Sequence, residues 1–375
     1  MDWLDWILLV GKVVVVFAAM LITVMVVIWM ERKVLADMQN RIGPNRAGPF
    51  GLLITLADGI KLFFKEGVRP KNIDRPVYVL APILSLIPAF LAFAVVPFGT
   101  VAHPFGRVFR FQVANLGIGI LWVLAMTSMA VYGIVLAGWS SGSKYPLLGA
   151  IRSSAQIISY EVGMGLALVA VIMYSGALSM SGIVASQDHL WNAIPQLPAF
   201  VVYLIAALAE TNRPPFDLPE AETELVAGYQ TEYSGIKFAL FYLAEYLNMV
   251  TVSAIAVTLF LGGPRGPHIA FLPWVWPIVW FLLKVLAIVY VYIWIRATLP
   301  RFRYDRLMNF GWKFLIPFGL VWVLFTGALV VLPDRYGKST FLKWAAIVIA
   351  ALLLLSAFWP ASGSAQKRER VEEAS

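Results

Sequence analysis

Cysteine is absent from this chain, so it can form no disulfide bond and offers no thiolate to an iron–sulfur cluster. Histidine is rare as well: His103, His189 and His268 have no histidine or cysteine neighbour at the spacing of a metal site, which favours ordinary loop histidines. Neither G-x-x-x-x-G-K-[ST] nor a strand-flanked G-x-G-x-x-G motif occurs, so no nucleotide-binding loop is expected. If the chain takes part in redox chemistry, the electrons must come from another subunit.

Charged residues are scarce, and long hydrophobic runs take their place. Only 13% of the residues are charged and 60% are hydrophobic, whereas soluble domains average about 25% and 45–50%. Nine apolar stretches approach the roughly 20 residues that cross a bilayer. The sequence therefore predicts an all-α fold, a polytopic membrane helix bundle of about nine transmembrane helices within one transmembrane domain over 1–360, followed by a charged tail over 361–375. The stretches lie near 6–30, 77–98, 115–139, 154–178, 197–212, 237–262, 274–297, 313–333 and 340–359.

The basic residues indicate the orientation of the chain in the membrane. The loops on one side, with their flanks and the C-terminal tail, hold 21 of the 29 Lys and Arg residues. The positive-inside rule places this side in the cytoplasm and the N-terminus outside. Anionic lipid headgroups suffice to explain the formal charge of +8, so nucleic-acid binding is not expected. The predicted cytoplasmic loops are 31–76, 140–153, 213–236 and 298–312.

The first cytoplasmic loop combines charge with helix breakers. Glu31 and Arg32 stand at its start, and the glycines and prolines near residues 43–49 predict a compact turn from which Arg41 and Arg46 project. Residues 52–66 then read as an amphipathic helix that lies in the membrane plane, with Asp58, Lys61 and Lys65 on its polar face. The alternative is a basic loop that only fixes topology.

The second cytoplasmic stretch, 213–236, is acidic, which reverses the sign expected on this side of the membrane. It carries one arginine, Arg213, against the carboxylates Asp217, Glu220, Glu222, Glu224 and Glu232. Such a cluster must stay solvated, meet a cationic partner, or hold protons near neutral pH.

Ionisable groups also occur within the spans. Glu161, Glu245 and Lys284 are costly in hydrocarbon and should face the protein interior. Together with Glu210 and Glu232, the two intramembrane acids are typical of a proton relay that leads from the acidic loop into the bundle, although a structural ion pair is the alternative for each acid alone. Span three, around Thr127 and Ser128, has no acid, so a relay would pass it by water, hydroxyls or another route.

Several of these motifs, in the same order, resemble the H-subunit family of bacterial proton-pumping NADH:quinone oxidoreductase, respiratory complex I. The resemblance covers essentially the whole chain. It is carried by Glu31-Arg-Lys, Arg41-Ile-Gly-Pro-Asn-Arg-Ala-Gly-Pro-Phe-Gly-Leu-Leu, Ala57-Asp58, Lys61-Leu-Phe-Phe-Lys-Glu66, Gly138-Trp-Ser-Ser-Gly-Ser-Lys-Tyr145, Ile158-Ser-Tyr-Glu161, Asn212-Arg-Pro-Pro-Phe-Asp-Leu-Pro-Glu-Ala-Glu222, Glu224-Leu-Val226, Thr231-Glu-Tyr233 and Arg301-Phe-Arg-Tyr-Asp305.

The resemblance implies a membrane subunit that transfers no electrons, forms the membrane end of a quinone tunnel, and couples quinone reduction to proton translocation. Quinone would be the substrate, while FMN and iron–sulfur clusters would belong to partner subunits. The implied location is the bacterial inner membrane, beside the other subunits of the complex. Implied tunnel residues are Glu31, Arg32, Arg41, Arg46, Asp58, Lys61, Lys65, Arg213, Asp217, Arg296 and Arg301. Implied relay residues are Glu161, Glu210, Glu220, Glu222, Glu224, Glu232 and Glu245.

Two alternatives of other classes stay open on the residues alone. A stand-alone ion transporter would also have many spans and buried acids. A related subunit of membrane-bound hydrogenases shares the Gly-Pro-Asn and Glu-rich elements but couples to a different redox partner.

Overall fold

The computed structural model describes residues 3–101, 109–217, 225–267 and 272–336. Within these ranges no β-strand occurs, so the predicted all-α fold is confirmed. Short 3-10 turns lie at Pro49–Gly51 and Gly228–Gln230, and a π-helical turn lies at Gly311–Leu315. The α-helices are α1 (Trp3–Met38), α2 (Ile54–Phe64), α3 (Arg75–Phe93), α4 (Gly119–Ser140), α5 (Lys144–Ser175), α6 (Met180–Ser186), α7 (Leu197–Glu210), α8 (Ile236–Phe260), α9 (Trp276–Thr298), α10 (Tyr304–Phe310) and α11 (Ile316–Tyr336).

The predicted polytopic membrane bundle is also confirmed. In the described part of the chain, seven helical segments are long and apolar enough to cross a membrane: α1, α3, α4, α5, α8, α9 and the run 304–331. The predicted span at 197–212 corresponds to α7, which has only 14 residues because Arg213-Pro214-Pro215 follows it and proline cannot continue a helix. The stretch predicted at 340–359 lies outside the described residues.

Two helices extend into segments that the sequence placed in loops. Helix α1 continues past Glu31 to Met38, and α5 begins at Lys144, directly after its N-cap Ser143. Pro146 falls in the first turn of α5, where the missing N–H breaks no helical hydrogen bond. The loop 31–76 contains α2, whose apolar residues Ile60 and Phe63 are exposed. Its orientation in a membrane stays a prediction.

Helix α8 forms the centre of the core. In α8, 89% of the 18-residue apolar segment is buried, compared with 22% of the corresponding segment in α1. Helix α8 is therefore enclosed by other helices, whereas α1 lies at the periphery. Its C-terminal end is closed by Lys284 of α9, whose Nζ donates to the carbonyl oxygens of Leu261 at 2.6 Å and Arg265 at 2.6 Å. This half-buried lysine therefore faces the protein interior, as the sequence predicts, and satisfies carbonyls that the helix end leaves open.

Helices α3 and α4 pack closely because of a glycine. A Cβ atom on Gly133 would lie 2.1 Å from the hydroxyl oxygen of Ser85, so no larger residue fits there without movement of α3. The chain as a whole divides into two compact units, Met1–Val323 and Leu324–Ser375. Every site described below lies in the first unit.

Candidate functional site

A buried ion pair joins α1, α9 and α8. Glu31 of α1 is only 4% exposed, and its Oε1 pairs with the guanidinium of Arg296 in α9. Its other oxygen, Oε2, accepts a hydrogen bond of 2.7 Å from the hydroxyl of Tyr246 in α8. Both carboxylate oxygens thus have charged or polar partners, which offsets the cost of removing the charge from water.

Arg213, in the segment after α7, continues this set of contacts. Its guanidinium carbon lies 4.1 Å from the ring centroid of Tyr246 and 5.4 Å from that of Tyr242, which are cation–π distances. Its NH2 lies 3.6 Å from Oε2 of Glu245. Tyr246 therefore contacts the anion Glu31 through its hydroxyl and the cation Arg213 through its ring face. We call the resulting row, Arg296–Glu31–Tyr246–Arg213–Glu245, the polar row.

The far end of the polar row is held by a loop that precedes α8. Oε1 of Glu245 accepts hydrogen bonds from the hydroxyl of Tyr229 at 2.9 Å and from Nε2 of Gln230 at 3.1 Å. The turn that carries both residues packs tightly on α5: a Cβ atom on Gly149 would lie 2.8 Å from the Cα of Gly228. The backbone approach allowed by these two glycines therefore places the donors against the buried carboxylate.

A small, partly open cavity lined by polar and apolar residues connects Glu245 to Glu210, the last residue of α7. Its volume is about 30 Å³, which exceeds the space that one water molecule needs. Oε2 of Glu210 is buried and makes no hydrogen bond within the described part of the chain. The polar residues that line the cavity are Ser85, Thr127, Glu210, Thr211, Asn212, Tyr229, Glu245 and Asn248.

Glu161 of α5 lies close to this cavity but does not line it. The carboxyl group accepts a hydrogen bond from the hydroxyl of Ser128 in α4 and lies within electrostatic range of Glu210. Glu161 is half-buried, whereas Glu210 and Glu245 are each 9% exposed. All three acids therefore face the protein interior, and Glu210 and Glu245 line one cavity.

Glu232 is positioned separately, by stacked tyrosines. Its backbone carbonyl accepts a hydrogen bond of 2.8 Å from the hydroxyl of Tyr78, whose ring stacks on Tyr233 at 4.2 Å. Burial raises the pKa of Tyr233, and the hydrogen bond with Ser140 only partly opposes this, so Tyr233 remains a neutral hydroxyl at physiological pH. The side chain of Glu232 is half-buried and is not among the residues that line the cavity.

The remaining predicted residues lie nearer the surface. Arg32 and Asp58 form an ion pair of 2.7 Å between α1 and α2, but their side chains are 44% and 39% exposed, so its contribution to stability is small. Arg41 bonds to the side chain of Gln39, and Asp217 lies within electrostatic range of Glu245. Arg41, Arg46, Lys61, Lys65 and Arg301 are exposed. Glu220, Glu222 and Glu224 lie outside the described residues.

Sequence reasoning did not select the neutral partners of these charges. Tyr246, Tyr229 and Gln230 provide hydrogen bonds to buried carboxylates, yet none is ionised at neutral pH. A usable signal was present, because Tyr242 and Tyr246 are four residues apart on one helical face of α8 and flank Glu245. Among the described residues, no group of three or more His, Cys, Asp or Glu side chains has the arrangement of a metal site.

These features define a polytopic membrane protein with a charged interior. The family model described as NADH dehydrogenase matches residues 11–327. The chain is 54% identical over 375 residues to the H subunit of NADH-quinone oxidoreductase from Frankia casuarinae, a match that covers 98% of this chain and 82% of the relative. The protein of the same name from Frankia alni matches with the same identity and coverage. The chain therefore belongs to the H-subunit family of NADH-quinone oxidoreductase, as its motifs imply.

The two contacts of Tyr246 can be separated by mutation. Tyr246→Phe removes the hydrogen bond to the charged Glu31 but keeps the ring beside Arg213, and should destabilise the protein by about 1.5–3 kcal/mol. Tyr246→Leu removes both contacts and should cost more. Thermal denaturation in detergent measures the difference, with Tyr132→Phe as a control because Tyr132 is 65% exposed. A result in which all three variants unfold together with the unchanged protein would contradict the role of the polar row.

Proposed function

We propose that this chain forms the membrane end of the quinone-binding tunnel in an NADH:quinone oxidoreductase and couples quinone reduction to proton translocation. The observation that carries the proposal is the polar row, which leads from Arg296 and Glu31 to Glu245 and its cavity. The names of the relatives favour this function over the hydrogenase and transporter alternatives. The chain itself would transfer no electrons, and FMN and iron–sulfur clusters would belong to partner subunits.

The tunnel wall would combine an oily lining with a few fixed charges. Helix α2 exposes apolar side chains beside Asp58, Lys61 and Lys65, which suits a segment at the edge of the bilayer where a quinone enters. An apolar tail then needs only a hydrophobic path, whereas the headgroup needs hydrogen-bond donors. The other residues assigned to this wall are Glu31, Arg32, Arg41, Arg46, Arg213, Asp217, Arg296 and Arg301.

Coupling would work through charge rather than through direct contact with the redox centre. Reduction of a quinone takes up two electrons and two protons, and each group that donates one of these protons loses one unit of positive charge. Reduction therefore changes the charge of the groups that face the headgroup. Arg213 contacts both Tyr246 and Glu245, so a displacement or a change of charge at one end of the polar row alters the stabilisation of the carboxylate at the other. Glu245 would respond by exchanging a proton with another group that lines the cavity, such as Glu210.

The proposed relay would pass a proton from one buried acid to the next. Glu245 and Glu210 share the cavity, and Glu161 lies within electrostatic range of Glu210. A proton added to one acid removes a negative charge and therefore favours ionisation of the next. We assign Glu220, Glu222 and Glu224 of the acidic loop, together with Glu232, to the supply of protons at the cytoplasmic mouth.

The topology would place both charged loops in the cytoplasm of a bacterial inner membrane, beside the other subunits of the complex and anionic lipids. This proposal rests on the distribution of lysine and arginine between the two sides. The N-terminus would lie outside and the C-terminal tail inside.

Because the chain has no cysteine, single introduced cysteines report this topology directly. Glu66→Cys lies in the first charged loop and Asp188→Cys on the opposite side, and both positions are exposed. A membrane-impermeant maleimide should label Glu66→Cys only in inverted vesicles and Asp188→Cys only in right-side-out vesicles. The reverse pattern would refute the assigned orientation.

Neutral replacements of the buried charges test the coupling role. Glu161→Gln, Glu245→Gln and Arg213→Gln should each lower NADH-driven quinone reduction about tenfold, equal to about 1.4 kcal/mol on the barrier. NADH oxidation by an artificial acceptor should stay unchanged, because the electron path lies in partner subunits. Asp188→Asn is the matched control, since that acid is exposed and pairs with Arg265 at the surface. Unaltered quinone reduction in all three variants would reject the proposed roles.

A further inference from the structure

Helix α4 contributes no acid to the proposed proton relay. It contains no Asp, Glu, His, Lys or Arg, yet it packs against α5, which carries Glu161, and contributes to the cavity that Glu210 lines. The two acids lie within electrostatic range of each other. The neutral groups of α4 are therefore placed to respond when Glu161 or Glu210 changes protonation.

Ser128 is the group of α4 that contacts Glu161. Its Oγ lies within hydrogen-bond distance of Oε1 of Glu161 and also 2.9 Å from the carbonyl oxygen of Leu124. A hydroxyl has one proton, so it can donate to only one of these acceptors at a time. When Glu161 is ionised, Ser128 donates to the carboxylate. When Glu161 is protonated, its O–H donates to Ser128, which then donates to Leu124.

Thr127 has the same pair of options toward Glu210. Its hydroxyl lies 3.1 Å from the same carbonyl oxygen of Leu124, and it faces the Glu210 carboxyl across the cavity that both residues line. The carbonyl of Leu124 already accepts the N–H of Ser128 within the helix, so the two hydroxyls share its remaining lone pair. One backbone oxygen in α4 therefore serves as the alternative acceptor for the hydroxyls at both acids.

We propose that Thr127 and Ser128 are positioning residues of the proton path, a hydroxyl pair that turns toward Glu210 and Glu161 when these acids are ionised and toward Leu124 when they are protonated. The pair keeps its own protons, so the transferred proton leaves one carboxyl and arrives at another while α4 stays neutral. A reorienting donor lowers the cost of a buried carboxylate in one state and of a carboxylic acid in the other. This inference rests on the proposed proton relay.

Variants that keep or remove each hydroxyl test the inference. In membrane vesicles that contain the whole complex, Thr127→Val and Ser128→Ala should lower NADH-driven proton pumping about tenfold, the equivalent of one hydrogen bond to a charged group. Thr127→Ser and Ser128→Thr retain the hydroxyl and should retain pumping. Oxidation of NADH by an artificial acceptor in the same vesicles confirms that the complex is assembled.

Two buried hydroxyls on α8 provide matched controls. Ser253 and Thr258 donate to carbonyls of their own helix, Met249 at 2.7 Å and Ala254 at 2.8 Å, and neither hydroxyl donates to an acid within the part of the chain that the structure describes. Ser253→Ala and Thr258→Val should therefore leave pumping unchanged. An equal loss in these controls, or an equal loss in the hydroxyl-keeping variants, would show that packing rather than donor reorientation matters and would overturn the inference.

The acids themselves separate this inference from the function on which it rests. If Glu161→Gln and Glu210→Gln abolish pumping while Thr127→Val and Ser128→Ala pump normally, the hydroxyl pair has no role although the relay stands. If the two glutamate variants also pump normally, the relay itself is refuted.

Discussion

Charge buried in an apolar interior must be matched by opposite charge and by hydrogen bonds, and this constraint organises the protein. Two arginines and two glutamates, Arg296, Glu31, Arg213 and Glu245, alternate in sign along the polar row. Removing a single member would leave an uncompensated ion, which costs more than the pair contributes. Tyr246 links the two ion pairs, because its hydroxyl donates to the anion Glu31 and its ring contacts the cation Arg213.

The helices are arranged so that the polar row runs through the protein core and not across the protein surface. Its members come from α1, α8, α9 and the segment after α7, with the central helix α8 supplying both Tyr246 and Glu245. Each end meets a different environment: Arg296 is one-third exposed, whereas Glu245 is buried beside a cavity that it shares with Glu210. A row with one accessible end and one buried end is suited to transmit a change of charge inward.

Much of the architecture follows from the sequence, because long apolar runs have few alternatives in a bilayer. The runs at 77–98, 115–139 and 237–262 correspond to α3, α4 and α8. Helix ends were harder to predict. Glu31 and Arg32 resemble the start of a loop, but α1 continues to Met38, and Glu31 pairs with Arg296, a tertiary contact that has no local signal.

In the candidate site, too, some features follow from the sequence and others only from the fold. Charged residues such as Glu161, Glu210 and Glu245 are evident in an oily sequence because of their cost, so they were selected. Their neutral partners were not, because a tyrosine or a glutamine reads as ordinary until the fold brings it to a carboxylate. The sequence distinguishes Thr127 and Ser128 only as members of a span without acids. Their opposite assignments, one to Glu210 and one to Glu161, depend on how α4 faces α5 and the cavity.

The central claim is that quinone reduction changes the protonation of carboxyl groups at the buried end of the polar row. Infrared difference spectroscopy of the assembled complex, triggered by reduction of bound quinone, observes such a change in the carboxyl region. The account predicts a carboxyl signal that disappears in Glu245→Gln while quinone is still reduced over a longer time. A spectrum that is identical in the unchanged protein, in Glu245→Gln and in Glu210→Gln would contradict it.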